Sequence, residues 1–195
     1  MKKLLITGFD PFGGETVNPS WEAVKLLPRQ IGRFAVTKLQ IQTKFSVAAR
    51  EILEAAQEQN PDVILSVGQA GGRDSITPEV VAINLREASI ADNAGILAQN
   101  EPVIQGAPAA YFATVPVRNM VAAVKNAGIP CKLSYSAGAF VCNDTLFALL
   151  HRFDGTKTQV GFIHVPFLPE QAKEGIPSLP LEKIVEALKI AIEAL

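Results

Sequence analysis

The sequence predicts an α/β protein, a three-layer α/β/α sandwich around a mainly parallel, mixed and twisted sheet. Two observations carry this expectation. Short apolar or β-branched runs alternate with amphipathic helical stretches along all 195 residues, as they do when helices connect parallel strands. Four of those runs exit into loops rich in Gly, aromatic or reactive residues, and ligands gather at the carboxyl edge of such sheets. With no internal repeat or linker, residues 1–195 read as a single domain, long enough to bury most of its apolar surface without staples.

Leu4-Leu5-Ile6 reads as a buried strand. Asn18-Pro19 then caps and opens a helix whose Trp21, Val24 and Leu27 share a face. Phe34 to Gln42 alternates apolar and polar residues, the period of a half-exposed strand. A helix starts at about Val47, carries Ile52, Leu53 and Ala56 at helical spacing, and ends near Asn60-Pro61. Asp62 to Val67 is a β-branched run leading into GQAGGRD at 68–74, and Val80 to Ile83 is a further short strand. From about Ala88 to Ala113 periodicity fades into a long excursion. Pro116 starts a helix with Met120, Val121 and Val124, which Gly128 stops. Leu133 to Ser136 reads as a strand, and SAG at 136–138 turns into a helix carrying Leu146, Leu149 and Leu150. Gln159 to Val165 is the last buried strand, and Ile184 to Leu195 the last helix.

Composition excludes several classes of function. Hydrophobic residues make up 48% and charged residues 19%, with a formal net charge of -1. The basic residues are dispersed, so neither nucleic acid nor an anionic membrane is an expected partner. The apolar run after Lys2-Lys3 breaks at Thr7-Gly8, far short of the ~7–15 residues of a signal-peptide core. A cytoplasmic location follows as the expectation. Cys131 and Cys142 read as free thiols rather than a disulfide. Two Cys and two His show no zinc-ligand spacing, so no metal is expected.

Two Gly-rich loops suggest phosphate sites and fail on detail. GFDPFGGE at 8–15 lacks the lysine and hydroxyl that close a P-loop, and GQAGGR at 68–73 lacks the dinucleotide spacing. Turn chemistry is the more common use of such clusters.

The cysteines differ in setting. Cys131 follows Pro130 and fits an inert, buried small hydrophobe. Cys142 follows the Ser-Ala-Gly turn and opens a helix, where backbone N–H groups and the helix dipole favour thiolate and lower its pKa. The same donors can hold an oxyanion. A thiol nucleophile needs an imidazole. His151 lies about 13 Å further along the same helix and cannot reach. His164 ends a buried strand at the same edge, which makes it the base by elimination. Glu79, Asp10 and Asp74 are all candidate acids to orient it, and spacing does not choose among them. Phe9 and Phe12 flank Asp10-Pro11, either packing beneath the loop or clamping a flat, uncharged ring.

These motifs carry a family resemblance. GFDPFGG…NPS at 8–20, GQAGGR…PEVVAIN at 68–84, SAGAFVCN at 136–143 and GFIHVPFLPEQ at 161–171 together resemble the pyrrolidone-carboxylate (pyroglutamyl) peptidases, in order and over nearly the whole chain. The resemblance implies a cytosolic cysteine peptidase without cofactor, a homotetramer or dimer, acting on peptides with N-terminal pyroglutamate. It implies a triad of Cys142 as nucleophile, His164 as base and Glu79 as orienter. It places Phe9 and Phe12 on the pyroglutamate pocket, with Asn18 and Gln69 as polar positions near it. Asp144 sets a carboxylate close to Cys142, expected to raise its thiol pKa or to oppose acidic substrates. The rival readings are a nucleoside phosphorylase or nucleosidase, which has no need of a thiol, and a non-catalytic small-molecule binding module, which has no use for a Cys-His pair.

Overall fold

The structure, a computed structural model, describes residues 1–195. Five helices and eight strands follow one another in chain order. The main sheet takes its first strands from β1 (Lys2–Phe9), β2 (Gln30–Ile31) and β3 (Phe34–Ile41), then β4 (Val63–Gln69), β5 (Thr77–Pro78) and β8 (Gln159–Val165). Their order across it is β2-β3-β1-β4-β8-β5. The central strands β3, β1, β4 and β8 are parallel. The two-residue strands β2 and β5 lie antiparallel at the edges.

Side-chain alternation explains the three layers. Leu4, Ile6, Val63, Leu65, Val67, Ile163 and Val165 point to one face and pack against α1 (Pro19–Leu26), α3 (Val117–Asn126) and α5 (Leu181–Glu193). Leu5, Phe9, Ile64, Val160 and Phe162 point to the other, against α2 (Val47–Gln59) and α4 (Val141–Phe153). Each fully buried apolar side chain of this size contributes about 1.5–3 kcal/mol. Two local signals act as the sequence predicts. Asn18 caps α1, its side chain accepting from Ser20 N–H with Pro19 in the first turn. Gly128, at φ +78°, follows the end of α3 in the left-handed conformation.

Three expectations change. Residues 133–136 form no strand: Cys131 and Ser134 make isolated bridges to Ile76 and Glu79. Pro78 has no N–H to donate there, and Ser136 N–H turns back onto Ser134 Oγ, so no ladder propagates. The strand at 80–83, β6 (Val81–Ile83), leaves the main sheet and pairs antiparallel with β7 (Ala110–Phe112). Phe9 closes β1 and is 1% exposed, rather than standing in the loop.

The long excursion between β6 and β7 is irregular apart from a bridge between Arg86 and Glu101. Buried polar side chains hold it. Asp92 accepts from the N–H groups of Phe45, Ala94 and Ile96 at 2.8–2.9 Å. Asn143, fully buried, accepts from Ile83 N–H and donates to the carbonyls of Ile83 and Leu85. No helix is long and apolar enough to cross a membrane.

Candidate active site

Three parallel strands deliver loops to one carboxyl edge: β1 into residues 10–18, β4 into 70–76 and β8 into 166–180. The fourth contribution comes from the N-terminus of α4. Phe140 is its N-cap and has no side-chain acceptor for the first turn. The backbone donors of that turn therefore remain available to a ligand.

His164 sits two residues after Phe162 on β8 and so shares the face that α4 covers. Glu79 Oε1 accepts from His164 Nδ1 at 2.7 Å, and both side chains are buried. This bond keeps the Nδ1 proton in place and leaves Nε2 as the basic nitrogen. Cys142, half-buried in the first turn of α4, reaches the same spot by a different route. Gly68 is the cross-strand partner of His164. A Cβ built on Gly68 would lie 2.9 Å from Cys142 Sγ and 2.8 Å from the Phe162 ring. The sulfur thus occupies space that exists because residue 68 has no side chain.

Electrostatics set the resting protonation. Burial pushes the Cys142 thiol up to about 12, with the Glu79 carboxylate adding to the rise and Arg73 opposing it. The expected lowering by the helix terminus is overridden, because desolvation of a thiolate outweighs the partial charge of uncapped N–H groups. Burial also lowers the pKa of His164, against the pull of Glu79. Both shifts favour the neutral forms, thiol on Cys142 and imidazole on His164. Glu79 stays ionised: burial raises its carboxyl, but His164, Ser134 and Arg73 together hold it below its usual value.

The other predicted residues separate clearly. His151 is exposed near the end of α4, its Nδ1 paired with the Tyr111 hydroxyl at 2.9 Å. Asp10 Oδ1 accepts from Thr43 N–H at 2.6 Å, and exposed Asp74 pairs with Lys132 at 2.8 Å. Glu79 is the acid that touches His164. Asp144 turns away from the sulfur, pairing with Arg86 Nε at 2.6 Å and accepting from Ser46 N–H at 2.8 Å. Phe9 packs on Phe162 with ring centroids 6.2 Å apart, while Phe12 lies 6.0 Å from Phe140. Asn18 is buried and spans Ser20 and the Asp10 carbonyl. Gln69, half-buried at the end of β4, accepts from Gln171 Nε2 at 3.2 Å.

Comparison with known proteins gives the family of the chain. A family model described as pyroglutamyl peptidase matches residues 2–195. The pyrrolidone-carboxylate peptidase of Levilactobacillus brevis is 48% identical, over 99% of this chain and 97% of that one. The chain belongs to the pyroglutamyl peptidase family. The Thermococcus kodakarensis pyrrolidone-carboxylate peptidase is 49% identical over 98% of the chain and 94% of its own length. Among solved structures, pyroglutamyl peptidase I of Bacillus amyloliquefaciens superposes with a TM-score of 0.96 at 47% identity, covering 100% of this chain and 96% of that one.

Within this candidate site, sequence reasoning missed two neighbours of the predicted residues. Arg73 donates to Glu79 Oε1 at 2.8 Å, a contact that the Gly-rich motif around it does not signal. Phe140 packs on both Phe12 and Phe45. An aromatic residue just before the cysteine, at a helix start lacking any capping side chain, was the available signal.

Proposed function

We propose that the chain hydrolyses the amide bond after an N-terminal pyroglutamyl residue, with Cys142 as nucleophile, His164 as general base and Glu79 as the orienting acid. The observation that carries this reading is the buried 2.7 Å contact from His164 to Glu79, with Cys142 Sγ packed against the strand partner of His164. His164 Nε2 takes the thiol proton as sulfur attacks the pyroglutamyl carbonyl carbon. The developing oxyanion is met by first-turn N–H groups of α4. The imidazolium, steadied by Glu79, gives its proton to the departing amine, leaving a thioester. Water, deprotonated by the same imidazole, attacks the thioester, frees 5-oxoproline and restores the thiol.

For the ring itself, Phe12 supplies an apolar wall and Gln69 an amide N–H donor for the lactam carbonyl, its Oε1 being taken by Gln171 Nε2. Phe9 and Asn18 act from beneath, Phe9 as packed floor and Asn18 by holding the Asp10 carbonyl at 2.9 Å. Residues 1–195 work as one domain, in the cytoplasm, as a homo-oligomer of two or four copies. Two free cysteines suit a reducing compartment.

Release of a fluorophore from a pyroglutamyl amide tests the reading. Wild-type protein is expected to turn over and to lose activity with iodoacetamide. Cys142→Ala is expected to be inactive, and Cys131→Ser to keep most of the rate. A folded Cys131→Ser protein without activity contradicts the assignment.

A further inference from the structure

We propose that Arg73 is a positioning residue for the reaction: its guanidinium locks the Glu79 carboxylate to the turn that leads into Cys142 and balances the charge of the buried cluster. This rests on the roles given above to Cys142, His164 and Glu79.

The geometry is a three-way fork. Arg73 Nη1 donates to Glu79 Oε1 at 2.8 Å and to Thr77 Oγ1 at 2.5 Å. Nη2 donates to the Ser136 carbonyl at 3.0 Å. One rigid planar group thus joins the acid, the edge strand β5 and the Ser-Ala-Gly turn ahead of α4. A lysine ammonium has the charge but not the fixed fork. Glu79 needs such a holder. Its Oε1 takes both His164 and Arg73, while buried Oε2 has no partner. Without Arg73 the carboxylate loses its tie to Thr77 and to the Ser136 carbonyl, and the imidazole is held by a less firmly fixed acceptor.

Charge gives the second argument. Neutral thiol, neutral imidazole, Glu79 carboxylate and Arg73 guanidinium sum to zero, and so does the set after the proton moves from sulfur to nitrogen. Removing Arg73 leaves an uncompensated negative charge beside the developing thiolate, where burial makes it costly. Neighbouring carboxylates do not change this sum. Asp144 on α4 is paired with Arg86, and Asp74 in the β4 loop with Lys132. Arg73 is 26% exposed, so its field is only partly screened. That field lowers both the Cys142 thiol and the His164 imidazolium. Its loss raises both, and the limits of the pH profile, which belong to the pair, move together to higher pH.

The test compares wild type, Arg73→Met and Arg73→Lys in the pH dependence of kcat and kcat/KM on a pyroglutamyl aminocoumarin amide, with melting temperature as the fold control. Arg73→Met is expected to lose about ten- to a hundred-fold in kcat, the range for a charged hydrogen bond. KM should change little, and the acid limit should lie at higher pH. Arg73→Lys is expected to restore the pH limit while kcat stays below wild type. Wild-type pH limits in Arg73→Met, or wild-type kcat in Arg73→Lys, overturn the proposal. If Arg73→Met does not fold, the Lys variant alone decides the fork. Cys142→Ala separates the two readings: activity there removes the nucleophile assignment, whereas an inactive Cys142→Ala beside an indifferent Arg73 removes only the role of Arg73.

Discussion

Gly68 concentrates at one position what this site asks of its residues. It ends a buried run, pairs with His164, and leaves room for both Cys142 Sγ and the Phe162 ring. A methyl group at 2.8–2.9 Å from those atoms has no relaxed position, and a packed neighbour must shift. Gly68→Ala is therefore expected to lower kcat sharply and to slow iodoacetamide labelling of Cys142, with the protein still folded by circular dichroism. Normal turnover in that variant would falsify the close packing of sulfur on β4. At this scale the sequence was informative where chemistry is scarce. Two histidines and two cysteines leave few pairings, and helix geometry removes His151. It was uninformative where the partner is far along the chain. Spacing alone could not select Glu79 over Asp10 or Asp74, because the selecting contact spans 85 residues. The family resemblance did select it. The thiol pKa went the other way from expectation because a helix start is visible in sequence and the depth of burial around it is not.

Among the elements, the strands and helices with a clean period were legible. The strand at 159–165 has the bounds expected of it, and α2 starts at Val47 and ends against Asn60 as its signals indicate. The helix buries one apolar face against the sheet and the central strand is buried on both faces, and each pattern is written in the sequence. The excursion between β6 and β7 was not legible, since its order comes from polar contacts rather than from period. Asp92 carries much of that order, with three backbone N–H donors on a nearly buried carboxylate. Asp92→Ala is expected to destabilise the fold by about 1–3 kcal/mol at neutral pH, the cost of leaving such donors unpaired. Burial raises its carboxyl pKa, but the N–H groups of Ile96, Phe45 and Ala94 outweigh that and hold it below 3.8. A folded pKa below the unfolded one gives stability that is present above the unfolded value and lost as pH falls through the folded one. The difference between wild type and Asp92→Ala should accordingly shrink as pH drops below 3.8. Thermal melts at pH 7 and pH 2.5 measure this, and a difference that stays constant contradicts the role given to the carboxylate.

The whole molecule enters through specificity, because the proposed pocket draws on distant parts of the chain. Phe12 follows β1, Gln69 ends β4, and Phe140 caps α4; Gln171, beyond β8, links to Gln69 and to the Val17 carbonyl. The sheet order sets β1, β4 and β8 side by side, so these loops converge only once the fold is complete. The four motifs made the convergence legible as a carboxyl-edge cleft, but not which ring faces which. Pyroglutamate is a flat, uncharged lactam with one N–H donor and one carbonyl acceptor. A site built from aromatic walls and an amide donor pairs the lactam carbonyl and exposes no charge to desolvation. Proline has the ring but lacks the carbonyl and carries a charged imino group. It leaves a pocket donor unpaired at about 1–3 kcal/mol and adds the cost of stripping water from the cation. Sites that hydrogen-bond a group missing from the competitor discriminate by as much as ~10⁴-fold. An N-terminal glutamine or glutamate fails as well, with an open chain and an ammonium group. Pyroglutamyl amides are therefore expected to be cleaved, and prolyl, glutaminyl and glutamyl amides hardly at all. Phe12→Ala should raise KM for the pyroglutamyl amide more than it slows iodoacetamide labelling of Cys142, since the proposed pocket uses the ring to hold the substrate and packs it on Phe140. Comparable kcat/KM on prolyl and pyroglutamyl amides would sink the pocket assignment while leaving the cysteine chemistry standing.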